Sequence, residues 1–311
     1  MVRLPLVIAL ASVLALPVAV AKVPSVFVDT KDIRAGNGSR FGAYEDNYLL
    51  LHRMQNNGWA ESDEKAMRGH FSLRYVLFGW ADKAGYFSYT GEFDFYRGSR
   101  PSGPVINRLS NPALHWSWAL RKFLDDPADQ SKVAEADAID VGLEHESNGQ
   151  VGEVTGAGDA STAQRVYAER GRPYFDQISR GSNFVSISTG VSETPIGLPI
   201  SVQAKLRLYM GQDSDVTWGS LAGQGLKLSD YHRASVRISK SFDKVGLFEV
   251  QWTLGDKGLK TDSFEVGWQW LDKTGRQIPL YVRLHRGPLN TLSNYTQRQD
   301  SVGVGVRFAA F

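Results

Sequence analysis

The stretch Ile139-Asp-Val-Gly-Leu-Glu-His-Glu-Ser-Asn-Gly149 decides how this chain is read. Ile139, Val141 and Leu143 alternate with Asp140, Gly142 and Glu144. That is the two-residue period of a strand with one apolar and one polar face. The apolar parity runs on into His145 and Ser147. An imidazole and a hydroxyl thus occupy the face that ought to be greasy. If that face meets lipid, the chemistry of these two side chains is directed at the membrane.

The same period recurs along the chain. Phe71, Leu73, Tyr75 and Leu77 alternate with Ser72 and Arg74, and Phe87, Tyr89, Phe93 and Phe95 with Ser88, Thr90, Glu92 and Asp94. Val202, Ala204, Leu206, Leu208 and Met210 alternate with Ser201, Gln203, Lys205, Arg207 and Tyr209. Phe264, Val266, Trp268 and Trp270 alternate with Glu265, Gly267 and Gln269, and Leu280, Val282 and Leu284 with Tyr281, Arg283 and His285. About twelve such segments predict an all-β chain, a twelve-stranded antiparallel transmembrane β-barrel. A barrel of this size turns the charged set inward and shows the apolar set to lipid. A soluble sandwich does the reverse, and alternation alone does not choose between them.

Other features favour the barrel. Residues 1–21 read as a secretory signal, with Arg3, the apolar run Leu4 to Leu16 and the cleavage pattern Ala19-Val20-Ala21. Residues 22–40 read as a periplasmic lead-in, and residues 41–311 as the barrel. No later segment has the ~20 apolar residues of a membrane helix. Connections alternate in length: 54–66, 98–110, 151–178, 211–228, 255–261 and 288–298 are long, while 81–84, 193–199, 241–244 and 271–276 are short. Long extracellular loops and short periplasmic turns have this rhythm; the longish 123–135 stretch is the exception. There is no cysteine, so there are no disulfides. A net charge of +2 gives no reason to expect a nucleic-acid partner.

Residues i and i+2 of a strand project from one face, so His145 can reach Ser147. A histidine that accepts the serine proton makes the hydroxyl a nucleophile toward an ester carbonyl. A third group must hold the imidazole in the right tautomer. Gln164 and Asn183 are the candidates, and Asn183 is preferred. It shares parity with Val185, Ile187 and Val191 and opens the next antiparallel strand. A neutral amide suits a lipid-facing wall better than a carboxylate. Gly149 offers an exposed backbone N–H for an oxyanion.

His145-Glu-Ser147-Asn-Gly149 resembles the His-x-Ser-Asn-Gly motif of the outer membrane phospholipase A family, and Ser179-Arg-x-x-Asn183 resembles the segment carrying that family's catalytic asparagine. Asn47-Tyr-Leu-Leu-Leu51 and Val302-Gly-Val-Gly-Val306 extend the likeness to the first and last strands, and the terminal Phe311 resembles the barrel-assembly signal of bacterial outer-membrane proteins. The 151–178 loop is enlarged relative to the family pattern. The resemblance implies a calcium-dependent phospholipase in the bacterial outer membrane, active as a homodimer on membrane phospholipid, with its site toward the outer leaflet. It makes His145 the base, Ser147 the nucleophile, Asn183 the orienting residue and Gly149 the oxyanion donor. It places calcium near the Gln150 carbonyl and the Ser179 hydroxyl, with Ser102 from the neighbouring subunit. Such oxygens are acceptable calcium ligands, but a set without carboxylates binds weakly and with help from water. The family's dimerising glutamine falls on Gly91 here. Two rival readings are a lipid A deacylase and a non-enzymatic barrel with a decayed site. Inward charges at positions 92, 94, 205, 207, 265 and 283 argue against an open pore.

Overall fold

The computed structural model describes residues 40–56, 63–79, 83–98, 106–119, 136–149, 179–191, 200–211, 227–242, 245–271, 277–293 and 295–308. Among these, twelve strands form the wall: β1 (Asn47–Asn56), β2 (Asp63–Gly79), β3 (Lys83–Tyr96), β4 (Ile106–Ala119), β5 (Ala136–Ser147), β6 (Gly181–Val191), β7 (Ser201–Met210), β8 (Ala234–Phe242), β9 (Gly246–Leu254), β10 (Ser263–Leu271), β11 (Gln277–Gly287) and β12 (Gln299–Phe308). Each pairs antiparallel with its neighbour in sequence, and β12 pairs with β1 to close the barrel. Closure leaves the wall no unpaired edge. A two-residue lead-in strand, Phe41–Gly42, adds to β2 opposite Tyr75 and Arg74. Residues 1–39, with the predicted signal segment, lie outside the described residues.

Burial settles the choice that alternation left open. Leu51 is 71% exposed and Leu143 54%, whereas Arg68 and Asp94 are at 0%. Apolar side chains face outward and charged ones inward, the inverse of a soluble sandwich. The outward sets named above are those of the structure on β2, β3, β5, β7, β10 and β11. Two strands run further into the 54–66 connection than the alternation suggested: β1 extends to Asn56 and β2 begins at Asp63.

The inward charges neutralise one another. Arg68 donates from Nε and Nη2 to the two Asp94 oxygens at 2.8 and 2.9 Å, and its Nη1 reaches Glu92 at 3.2 Å and the Asn290 carbonyl at 3.1 Å. Lys205 pairs with Glu144 at 2.6 Å, Arg283 pairs with Glu265, and Arg307 bridges Glu249 and Asp46. Charges this deep persist only when paired and hydrogen-bonded. The lumen between these networks is a cavity of ≈ 270 Å³.

At the end where β5 finishes, chain connections fold into the mouth. Leu228 and Tyr231, between β7 and β8, pack against Leu292 and Tyr295, between β11 and β12. The Arg180 guanidinium lies 5.1 Å from the centre of the Tyr295 ring. The sequence reads 211–228 and 288–298 simply as long connections; Leu228 and Tyr231 with Leu292 and Tyr295 form a small apolar plug there.

Candidate active site

Strand register arranges the outer wall in rows. One row runs Tyr89 (β3), Pro112 (β4), His145 (β5), Asn183 (β6) and Met210 (β7). Tyr89 pairs with Pro112, His145 with Asn183 and Asn183 with Met210. Ala113 pairs with Glu144 and Ser110 with Ser147, which sets Pro112 opposite His145. The row nearer the mouth runs Gly91, Ser110, Ser147 and Gly181. On the other side, Phe87, Leu114, Leu143, Val185 and Leu208 form an apolar row. His145, Asn183, Ser110 and Ser147 thus stand in two rows above an apolar band.

His145 and Asn183 are both exposed on this wall. Their side chains meet: His145 Nδ1 donates to Asn183 Oδ1 at 2.9 Å. An amide oxygen only accepts, so Nδ1 carries the ring proton and Nε2 keeps its lone pair. That is the form a general base requires. Ser147 lies two residues on, with the same outward parity. A methyl group placed on Gly181 would stand 3.5 Å from Ser147 Cβ and 3.7 Å from His145 Cε1. The serine and the imidazole therefore flank one small gap over the Gly181 backbone.

The backbone beneath the site is held in two ways that pattern reading missed. Pro112 has no N–H for the ladder. The His145 carbonyl beside it instead accepts from Asn111 Nδ2 at 3.0 Å. Just past β5, Asn148 is fully buried. Its N–H donates to the Arg180 carbonyl at 3.0 Å, its Oδ1 accepts from Arg180 N at 2.8 Å, and its Nδ2 donates to Ser293 Oγ at 3.1 Å. Asn148 thus ties the end of β5 to the start of β6 and to the plug. Gly149 follows with φ 62°, a backbone state glycine adopts without steric cost, and is exposed.

Behind the wall, Glu146 faces the lumen and approaches His232 Nδ1 at 3.9 Å. Burial and the nearby Arg207 and Lys205 hold the His232 imidazole below its ordinary range, while Glu146 opposes them.

Of the predicted calcium donors, Ser179 is half-buried beside Arg180. Ser102 and Gln150 lie outside the described residues, as do Gln164 and the 151–178 loop. Among the described residues no group of three His, Asp or Glu side chains is arranged to hold a metal. Gly91 faces outward and is roofed by aromatic rings: a methyl there would meet Phe71 at 3.0 Å and Tyr89 at 3.1 Å.

A second serine–histidine–acid arrangement lies inside the barrel. Ser88 Oγ is 3.0 Å from His115 Nε2, and His115 Nδ1 is 2.8 Å from Asp140 Oδ1. Ser88 is fully buried, and Tyr44 and Tyr86 pack on the imidazole. Ser88 and His115 are both buried among the described residues, so this trio is a structural network, whereas the His145–Asn183 pair is exposed.

These features define a class: a closed twelve-stranded barrel of the outer-membrane type, with a histidine–asparagine pair and a serine on its lipid-facing wall. Neither a protein-family model nor a curated protein matches the chain. Among solved structures it is similar to outer membrane phospholipase A from Escherichia coli, with a TM-score of 0.59 at 17% identity over 86% of this chain and 93% of that one. The Salmonella typhi outer membrane phospholipase dimer with bound calcium gives a TM-score of 0.59 at 17% identity, covering 86% of this chain and 91% of that one. An active-site mutant of the Escherichia coli phospholipase gives 0.56 at 16% identity over 86% and 90%. At this identity the likeness establishes a shared fold.

Proposed function

We propose that this chain is an outer-membrane serine esterase that hydrolyses the acyl esters of glycerophospholipids, with A1, A2 and lysophospholipase activity. The observation that carries this reading is the 2.9 Å hydrogen bond from His145 to Asn183 on the outer wall, with Ser147 beside it. A histidine on a lipid-facing row is costly unless it has a task. The fold likeness to proteins named as phospholipases, one solved as a calcium-bound dimer, supports the same reading.

In this mechanism His145 Nε2 takes the Ser147 proton as Oγ attacks the ester carbonyl. Asn183 holds the imidazole and stabilises the imidazolium that forms. The Gly149 N–H donates to the oxyanion. His145 then returns the proton to the leaving lysolipid oxygen, and a water repeats the cycle to release the fatty acid. Calcium would be held by the Ser179 hydroxyl and the Gln150 carbonyl, with Ser102 from a second copy. Ser179 is compatible with this placement, since Asn148 binds the adjacent Arg180 on both its N–H and its C=O and so draws the start of β6 toward Gly149. When bound, the cation supplies positive charge where the oxyanion develops. Residues 1–21 act as the secretory signal, the amino terminus is periplasmic, and the plugged mouth is extracellular.

The test is hydrolysis of phospholipid in mixed micelles by the purified barrel, compared with Ser147→Ala. The folded variant is expected to lose activity. Undiminished turnover would remove the site. Hydrolysis should also stop on chelation without unfolding; turnover that persists in excess chelator eliminates calcium from the mechanism.

A further inference from the structure

Beside Ser147 the outer wall carries another polar pair, with no role in the reading above. Ser110 stands directly across from Ser147 in the same row, on the side opposite Gly181. Its hydroxyl donates to Tyr89 OH at 3.2 Å. Tyr89 belongs to the His145 row, so its ring must lean toward the mouth to reach Ser110. Gly91 makes room for that lean. The Tyr89 and Phe71 rings sit where a side chain at position 91 would be, and Phe71 also stacks on Phe93 at 5.5 Å. Around this cluster the lipid-facing positions are apolar: Phe71, Phe87, Phe93 and Leu114.

With Ser110 donating to the phenol oxygen, the Tyr89 O–H can donate to a further acceptor. A chain of two hydroxyls polarises that terminal proton and strengthens it as a donor. Directly opposed residues on neighbouring strands have Cβ atoms about 4.5–5.5 Å apart. Ser110 therefore lies one strand from the nucleophile, with the Tyr89 hydroxyl hydrogen-bonded to it, a separation comparable to that between a glycerophosphate oxygen and the ester carbonyl of the same lipid.

We propose that Tyr89 and Ser110 form a specificity subsite that binds an acceptor oxygen of the glycerophosphate while Ser147 attacks the acyl ester. This rests on the serine-esterase reading of His145, Ser147 and Asn183. The subsite makes the enzyme prefer glycerophospholipids over simple fatty-acid esters, which have the scissile bond but no phosphate.

The test compares kcat/KM on a diacyl phosphatidylcholine with that on a long-chain p-nitrophenyl ester, in the same mixed micelles with calcium. Tyr89→Phe keeps the ring over Gly91 and removes only the hydroxyl. It is expected to lower the phospholipid-to-monoester ratio about tenfold, the loss of one hydrogen bond to a charged group, mainly through KM. Ser110→Ala should lower the ratio in the same direction, and Ser110→Thr, which keeps a hydroxyl, should restore it. A ratio that stays unchanged in Tyr89→Phe overturns the subsite, as does an equal loss on both substrates. Labelling of Ser147 by a fluorophosphonate separates the two levels. Labelling with an unchanged ratio removes the subsite alone, whereas absence of labelling in the folded wild type removes the esterase reading and the subsite with it.

Discussion

In the mechanism proposed above, the side chains on the outer wall divide the chemical work unequally. Ser147→Ala should reduce phospholipid hydrolysis by at least about a thousandfold, as expected when a nucleophile is deleted, with thermal unfolding unchanged. His145→Ala should be nearly as severe, because among the described residues no other base lies on that face beside Ser147. Asn183→Ala removes a hydrogen bond worth about 1–3 kcal/mol, so its loss should be nearer ten- to a hundredfold, measured as kcat. A loss in Asn183→Ala equal to that in His145→Ala would show that the amide does more than orient the ring. Parity made much of this legible in the sequence. Once β5 is read as a strand, His145 and Ser147 must share a face with Leu143, and an antiparallel β6 can bring Asn183 alongside. The Asn111 bond that replaces the missing Pro112 donor was not legible. It depends on which residue of β4 faces His145, and one step of register would change the partner. Tyr89 and Ser110 were hidden for the same reason, since only the register puts Ser110 beside Ser147.

At the level of strands and connections, the end of β5 is fastened rather than free. Asn148 accepts from Arg180 N and donates to Ser293 Oγ, and Leu289, at φ 66°, turns the plug segment so that its N–H meets the Tyr295 carbonyl. A leucine held in that backbone region is strained, which points to a segment constrained by its packing. Asn148→Ala strands the Arg180 N–H in a buried place, at a cost of about 1–3 kcal/mol. The expected result is a lower unfolding temperature in detergent, together with faster hydrogen exchange at Arg180. Slower hydrolysis should accompany it, because Gly149 loses its anchor. A variant with normal exchange at Arg180 would show that Asn148 does not fasten β6. The alternating pattern located the strands on both sides of this clamp but not the clamp itself. Asn148 follows the last alternating residue, and its partners lie 32 and 145 residues away along the chain.

For the molecule as a whole, the interior decides between a channel and a solid wall. The sequence put charges of both signs inward, which is legible from period two. Their pairing required the closed barrel, since Arg68 on β2 meets Asn290 beyond β11, 222 residues later. Arg68→Ala leaves Glu92 and Asp94 without their cation, and breaking such a buried pair costs about 3–5 kcal/mol. Equilibrium unfolding in denaturant should show a loss of that order; a change within error would mean that water already screens these groups. The wild-type barrel, with its lumen crossed by ion pairs and its mouth plugged, should give no steady conductance in planar bilayers, and porin-like currents would contradict the packing. On the outside, the apolar rows below His145 end at Trp116 and Trp118, whose rings lie 5.9 Å apart. Indoles settle at the membrane–water boundary, and each row step is about 7 Å along a strand. On the proposed reading the barrel is in effect a ruler: tryptophan would fix one end at the far surface, and the His145 and Ser147 rows would stand at a constant height above it. Bilayers too thin or too thick would carry the ester plane past that height, so hydrolysis across a series of phosphatidylcholine vesicles of rising acyl length should peak at one length and fall on either side.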